Sequence, residues 1–385
     1  MNKCILPWIH LETTSAGEVK PCCIYKNPVQ INNKSAVLDD YSLKEIWNSS
    51  YMNHLRQQFL NKEKPLGCAA CWESEAAGKT SKRLVSLKKF SDHLDKFDKE
   101  VSLPVYLDLK LGTVCNLKCR SCSSHSSFKW ADDEKKLYGH TLNKTLKSYW
   151  LDDNSDFWVD IEEMLPHIEH FDFTGGEPFL IKKHFDILER CIKEGFAKNI
   201  TIHYNTNGTV DITKKMFNIW EKFKNVEIMF SADGVKDKFE YLRNPGKWCK
   251  FVSIFESTLN KKNIYVNICY SVSIFNVLYM HEFVEWFSKY NLSADKLYFN
   301  LIWQPNYLCI KNLSLESKHK VKNFLNSNKS SNSELNSRVN EIIDFMFLDG
   351  VNLEENFIKI TNQLDKIRNE SFSDTFKDLD NILKC

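Results

Sequence analysis

The run VCNLKCRSC constrains this chain more than any other stretch, because it sets Cys115, Cys119 and Cys122 at C-x3-C-x2-C spacing on one tight loop. A cubane [4Fe-4S] cluster has four irons, so three thiolates leave one iron without a protein ligand. That is the iron–sulfur counterpart of a catalytic zinc site that keeps a position for substrate. A structural site would want a fourth local ligand. The nearest is His125, and a zinc knuckle through it is the plainer alternative. Downstream, the apolar run IEHFDF leads into TGGEP. Two glycines at a strand end let the backbone approach a ligand closely, and Glu177 sets a carboxylate beside it. Read alone, TGGEP is a tight turn.

Composition narrows the setting. The chain has 385 residues and 13 cysteines, an odd count that fits poorly with a closed disulfide framework. The opening MNKCILPWIH holds one lysine and no long apolar stretch, so a secretory leader is not expected. No apolar run approaches the roughly 20 residues of a membrane helix. The net charge of +2 gives no field to recruit nucleic acid or anionic lipid. The expectation is a cytoplasmic protein whose free thiols are either core residues or metal ligands. Cys191, Cys249, Cys269 and Cys309 sit mostly in apolar company and read as core; Cys385 is terminal.

Taken together, these motifs resemble those of radical S-adenosylmethionine (SAM) enzymes. The resemblance rests on Cys115, Cys119 and Cys122, on Gly175-Gly176-Glu177-Pro178, on TNG at Thr206–Gly208, and on SADG at Ser231–Gly234 followed by Arg243. It implies that the open iron is chelated by the amino and carboxylate groups of SAM. An electron from the reduced cluster then cleaves a carbon–sulfur bond to give methionine and a 5′-deoxyadenosyl radical. It implies cofactor-binding roles for the TGGEP residues through Pro178 and for Asn207. Gly175, Gly176 and Glu177 would hold the SAM amino group, Ser231 would contact the ribose, and Arg243 would pair with the carboxylate. Many relatives place an aromatic residue before the third cysteine to border the adenine; here it is Ser121, so that contact must come from elsewhere.

The N-terminal cysteines carry the second half of the resemblance. Cys4, Gly17-x4-Cys22 and Cys68-x2-Cys71 look like a twitch module, a shortened relative of the SPASM domain, which binds an auxiliary iron–sulfur cluster. In most relatives it follows the barrel; here it precedes it. Cys4, Cys22, Cys68 and Cys71 would make a closed auxiliary [4Fe-4S] site. Cys23 rivals Cys22, and a four-cysteine structural zinc site is the bland alternative.

Between these cysteines, SLKEIWNSSYMNHLRQQFL carries a capping box at Ser42 and Glu45 and apolar residues at helical spacing, predicting one helix. From residue 101 strand and helix patterns alternate. Strands are expected at Leu103–Leu111, Ile168–Thr174, Asn199–Tyr204, Val226–Ser231, Ile264–Val272 and Lys296–Trp303, with helices at Lys183–Glu194, Ile212–Phe223 and Met280–Tyr290. Six strands separated by helices predict a parallel sheet, and the resemblance implies the same α/β fold, a partial (β/α)6 TIM-type barrel. The expected organisation is a twitch-like module at 1–100, the barrel at 101–305 and a helical C-terminal extension at 306–385.

His203, Tyr204, Tyr270, Trp303 and Gln304 fall at or near strand ends and are substrate-pocket candidates, with a core or rim position as the competing reading. The long insert Ser123–Trp158, with Trp130, Tyr138, Trp150 and Trp158, reads equally as a helical lid or as packing. Asn326–Ser337 reads as a polar linker, followed by two amphipathic helices without evident chemistry.

The resemblance implies an electron donor such as a flavodoxin or ferredoxin, and favours a peptide or protein substrate slightly over a small one. The competing functions are a small-molecule dehydrogenase or epimerase of the same superfamily, and a non-catalytic iron–sulfur or zinc protein in electron transfer or assembly.

Overall fold

A computed structural model describes residues 2–76, 80–99, 101–143, 155–330 and 332–384. It is an α/β chain whose main strands are mostly parallel. In chain order they are β1 (His10–Thr13), β2 (Val19–Lys20), β3 (Tyr106–Lys110), β4 (His170–Thr174), β5 (Thr201–Thr206), β6 (Asn225–Ser231), β7 (Ile264–Val272) and β8 (Leu297–Leu301). All six expected strands are present. β1 and β2 come from the N-terminal segment, where HLET is too short and too polar to announce itself. The helices that bear on the site are α1 (Ser50–Leu60), α2 (Lys182–Lys193), α3 (Lys214–Trp220), α4 (Lys236–Leu242), α5 (Trp248–Thr258), α6 (Met280–Ser288), α7 (Leu315–Ser327), α8 (Ser333–Met346) and α9 (Glu354–Arg368).

The chain divides into two compact units. One comprises residues 1–114, 145–205 and 213–227; the other comprises 115–144, 206–212 and 228–385.

In the first unit β1 pairs antiparallel with β2 and parallel with β3, β3 parallel with β4, and β4 parallel with β5. Because side chains alternate across a strand, the register writes two different faces. Leu11, Leu107, Phe171 and Ile202 align on one face, all fully buried. Glu12, Asp108, Asp172 and His203 align on the other, one step along the strands from His10, Tyr106 and His170. The apolar row supplies the drive for burial; the polar row is a hydrogen-bonded strip described below. The Ser42–Glu45 capping box forms as expected, with Ser42 N donating to Glu45 Oε2 at 2.8 Å and Glu45 N to Ser42 Oγ at 3.2 Å. The expected single helix is two, Leu43–Trp47 and α1, because Ser49 caps a new start by accepting from Met52 N at 3.3 Å.

In the second unit β8 pairs parallel with β7. The expected polar linker shrinks to a turn between α7 and α8. Asn332 caps α8 by accepting from Leu335 N at 3.0 Å, so the Ser/Asn run that reads as disorder is spent on helix capping. The two C-terminal amphipathic helices are α8 and α9. Trp150 and Cys385 lie outside the described residues. Cys191 and Cys309 are core residues, whereas Cys249 is exposed.

Candidate functional site

The N-terminal cysteines form their site within the first unit. Cys4, Cys22, Cys68 and Cys71 line one cavity, walled by Leu6, Tyr25 and Phe59. Lys26 N donates to Gly67 O at 3.0 Å, which ties the Cys22 loop to the Cys68 loop. Arg83 ties the remaining two. It bonds Glu75, on the helix Ala69–Ala76 that also carries Cys71, at 2.5 and 2.9 Å, and donates to Lys3 O at 2.7 Å. That bond to Arg83 holds the Glu75 carboxyl below its usual range. Burial pushes the thiols of Cys4, Cys22 and Cys68 up to about 12.

Such thiols are neutral unless a metal replaces their protons, and with the Cys71 sulfur they complete four donors around one cavity, a set that suits a cluster. Among the described residues no three His, Cys, Asp or Glu side chains are gathered as a single-ion site. Cys23 does not line the cavity; burial raises its thiol, and Lys82, Asp108 and Asp172 are its charged neighbours.

The three-cysteine loop belongs to the second unit. Cys122 N donates to Cys119 O at 3.0 Å, closing a turn. Burial first, then the neighbouring Cys119 and Cys115, push the Cys122 thiol up to about 12. Donors surround the sulfurs. Leu117 N lies 3.4 Å and Asn207 Nδ2 3.8 Å from Cys115 Sγ, and Arg243 Nη1 lies 3.8 Å from Cys119 Sγ. Asn207 also donates to Asn116 Oδ1 at 2.8 Å and accepts from the Thr209 amide and hydroxyl at 2.9 and 2.6 Å. The TNG motif therefore braces the loop beside Cys115.

Arg243 pairs with Asp233 at 2.8 Å, both buried, and its Nε has no hydrogen-bond partner among the described residues. Asp233 also accepts from Ser271 N at 3.0 Å. Sequence reasoning assigns roles to Ser231 and Arg243 and takes in SADG, but gives Asp233 within it no role of its own. Ser231 ends β6, half-buried. Ser121 lines a cavity with Arg120, Asp233, Ser271, Ser273 and Ile302.

Gly175 through Pro178 lie in the first unit. Gly175 has φ +102°, and a Cβ on Gly176 would stand 2.2 Å from Val114 O, the carbonyl just before Cys115. Gly176 N and Glu177 N donate to Gly112 O and Val114 O at 3.2 and 2.7 Å. The glycines thus let two loop backbones meet, and this cradle is one that any side chain would fill. Glu177 is fully buried and accepts from Phe179 N at 3.2 Å; Pro178 opens the short helical turn that follows.

The pocket candidates separate. His203 faces the polar row, 3.4 Å from Glu227 Oε2. Burial alone would lower its imidazole, but Asp172 and Glu227 outweigh that and raise it. Tyr204 is in the core on the other face, where Trp220 Nε1 donates to its hydroxyl at 3.2 Å. Tyr270 is also fully buried and donates to Asn276 O at 2.9 Å. Trp303 is 56% exposed and packs edge-on against Phe345, and Gln304 is exposed.

The polar row itself was not anticipated beyond His203. Asp172 accepts from Tyr106 Oη at 2.5 Å and bonds His170 Nε2 at 2.8 Å, Asp108 accepts from Thr174 Oγ1 at 3.1 Å, and Lys110 pairs with Glu12. Alternation of polar residues along β1, β3 and β4 is the signal that could have found it.

Comparison with known proteins agrees with this arrangement. Residues 109–286 match the Radical SAM superfamily, and residues 4–72 match an iron–sulfur cluster-binding domain of the SPASM type. The chain thus carries a radical SAM domain and, N-terminal to it, a SPASM-type iron–sulfur domain. The radical SAM domain is one that holds a [4Fe-4S] cluster and SAM, and the SPASM-type domain is one that binds auxiliary iron–sulfur.

No curated protein matches. Among solved structures the chain is similar to native anSMEcpe with bound AdoMet, with 21% identity, a TM-score of 0.39 and coverage of 59% of this chain and 62% of that one. It is also similar to Streptococcus suis SuiB bound to the precursor peptide SuiA, with 15% identity, a TM-score of 0.38 and coverage of 68% and 59%. The matched region spans about three fifths of those chains. Among the described residues no helix is long and apolar enough to cross a membrane.

Proposed function

We propose that this chain is a radical SAM enzyme that reductively cleaves SAM and uses the resulting radical to modify a carbon of a peptide or protein substrate. In this reading Cys115, Cys119 and Cys122 hold the SAM cluster, and Cys4, Cys22, Cys68 and Cys71 hold the auxiliary one. The division at residues 1–100, 101–305 and 306–385 is kept with it. The observation that carries the reading is the three-thiol loop with N–H donors aimed at two of its sulfurs, from Asn207 and Arg243.

The bound cluster and SAM supply the electron and the carbon radical; the chain supplies ligands, positioning and a dry pocket. Asn207 and Arg243 hold their donors against Cys115 and Cys119, which stabilises the anionic sulfurs. Arg243, kept in place by Asp233, has its Nε unpaired and suited to a carboxylate. Gly175 and Gly176 keep the backbone bare beside Glu177, whose carboxylate suits an ammonium.

Members with an auxiliary module often modify ribosomal peptides, which favours a peptide substrate. The reductant is a small electron carrier such as a flavodoxin or ferredoxin, in a reducing, cytoplasmic compartment. The test is anaerobic incubation of reconstituted protein with dithionite and SAM. 5′-Deoxyadenosine should accumulate, and its absence with an intact cluster would sink the reading.

A further inference from the structure

The C-terminal extension offers no chemistry in sequence, yet its charged residues reach the three-cysteine loop. That loop has no sheet ladder or helix to fix it, and a loop that must present thiolates to a cluster needs its geometry imposed from outside. Part of the fixing is backbone. Lys118 N donates to Asn244 O at 2.7 Å and Arg120 N to Leu242 O at 2.8 Å, on either side of Cys119.

The rest comes from α9 and the turn after it. The Arg120 side chain is 1% exposed, and its Nη2 lies 2.5 Å from both Asp365 Oδ1 and Glu370 Oε2. Its guanidinium stacks on Tyr241 at 3.8 Å, and the Tyr241 hydroxyl donates to the same Asp365 oxygen at 2.7 Å. Glu370 accepts from Asn244 Nδ2 at 2.6 Å, so one carboxylate holds Arg120 and the other strand of the loop's backbone pairing. Glu370 gets there because Asn369 ends α9 in the left-handed conformation, φ +54°.

A second tie runs beside it. Lys118 and Arg368 share Asp133, at 3.0 and 2.8 Å, and Arg368 covers Trp130, whose indole donates to Cys119 O at 2.9 Å. Both neighbours of Cys119 are therefore cations reached by the last helices.

We propose that Arg120, Asp365 and Glu370 are positioning residues of the SAM cluster, so that the C-terminal helices are a working part of this site and not a cap. This rests on the cluster assignment above. Two observations favour a functional role over plain packing. Among the described residues Arg120 Nε and Nη1 have no partner, so its anchoring depends on the two carboxylates at Nη2. With Asp133 the two acids balance Arg120, Lys118 and Arg368, so neutralising them leaves positive charge in excess beside Cys119, where it acts on the cluster electrostatically. A buried charge that loses its partner is costly, so the set works as a unit.

The test uses full-length, anaerobically reconstituted protein in three forms: wild type, the Asp365→Asn/Glu370→Gln double variant, and Arg120→Lys. SAM affinity and the midpoint potentials of both clusters are read by EPR. Neutralising the two acids should raise the potential of the SAM-responsive cluster and weaken SAM binding about tenfold, with the auxiliary cluster unchanged. Arg120→Lys, which keeps the charge and loses the fork, should weaken SAM binding with a smaller change in potential.

Unchanged SAM affinity and potential in folded variants would overturn the proposal. So would parallel damage to both clusters in Arg120→Lys, the milder change if the double variant fails to fold. A wild type without any SAM-responsive signal would overturn the site assignment itself, and this proposal with it.

Discussion

The two thiol sites of this chain are held by the same device and built for different ends. In each, a buried arginine ties the cysteine segments to residues distant in sequence: Arg83 through Glu75 and Lys3 O, Arg120 through Asp365 and Glu370. Around the N-terminal cysteines four thiols share one mostly apolar cavity, with Lys82 and Arg83 as the cations in its wall. Around the three-cysteine loop, amide and guanidinium donors approach the sulfurs and a small cavity with serine and aspartate in its lining opens beside Ser121. A closed set of ligands in apolar surroundings favours a permanent tenant. An incomplete set with polar neighbours favours a ligand that comes and goes, which is what an open iron needs.

Breaking either site should therefore give unequal losses. Replacing Cys115, Cys119 and Cys122 by alanine should abolish SAM cleavage and lower iron from about eight to about four per chain, measured by iron analysis and product chromatography. Loss of all the iron would mean that the two sites are not independent.

The next largest effect separates adjacent cysteines. Cys22→Ala should remove the auxiliary cluster's signal and its share of the iron. Cys23→Ala should leave both, because Cys23 does not line the cavity. The reverse pattern would exchange their roles.

Gly176→Ala tests how tightly the glycine turn meets the backbone before Cys115. A Cβ 2.2 Å from Val114 O forces a shift that should cost about 1–3 kcal/mol, read as a lower Tm. Gly139→Ala is a useful contrast, since its Cβ would meet nothing within 4 Å and only its left-handed φ opposes it.

The smallest effect concerns the polar row. Burial, and then repulsion from Asp172, push the Asp108 carboxyl up to about 8. An acid raised in the folded state holds its proton more tightly there than when unfolded. Its contribution is complete below about pH 4 and is lost as pH rises through about 8. Asp108→Asn should remove that loss, so urea midpoints at about pH 6 and about pH 9 should differ less in the variant than in wild type.

What the sequence made legible is what is local or periodic. C-x3-C-x2-C, TGGEP, the Ser42 capping box and the strand–helix alternation each depend on neighbours a few residues away. The misses are long-range. Asp365 and Glu370 opposite Arg120 are ordinary acids until the fold brings them to a partner. β1 was missed because its polar alternation looks like loop until His10 and Glu12 are seen aligned with Tyr106 and Asp108. Tyr204 illustrates the limit of strand-end reasoning: with a period of two, one residue's difference from His203 puts it on the opposite face, in the core.

The central claim is that the three-cysteine loop leaves one iron open for SAM. The most direct measurement is electron–nuclear double resonance on the reduced protein with SAM labelled in its amino nitrogen and carboxylate oxygen. The account predicts hyperfine coupling of both labels to the cluster at Cys115, Cys119 and Cys122, and none in the triple alanine variant. An intact, reduced cluster at those residues with no coupling to either label would contradict it.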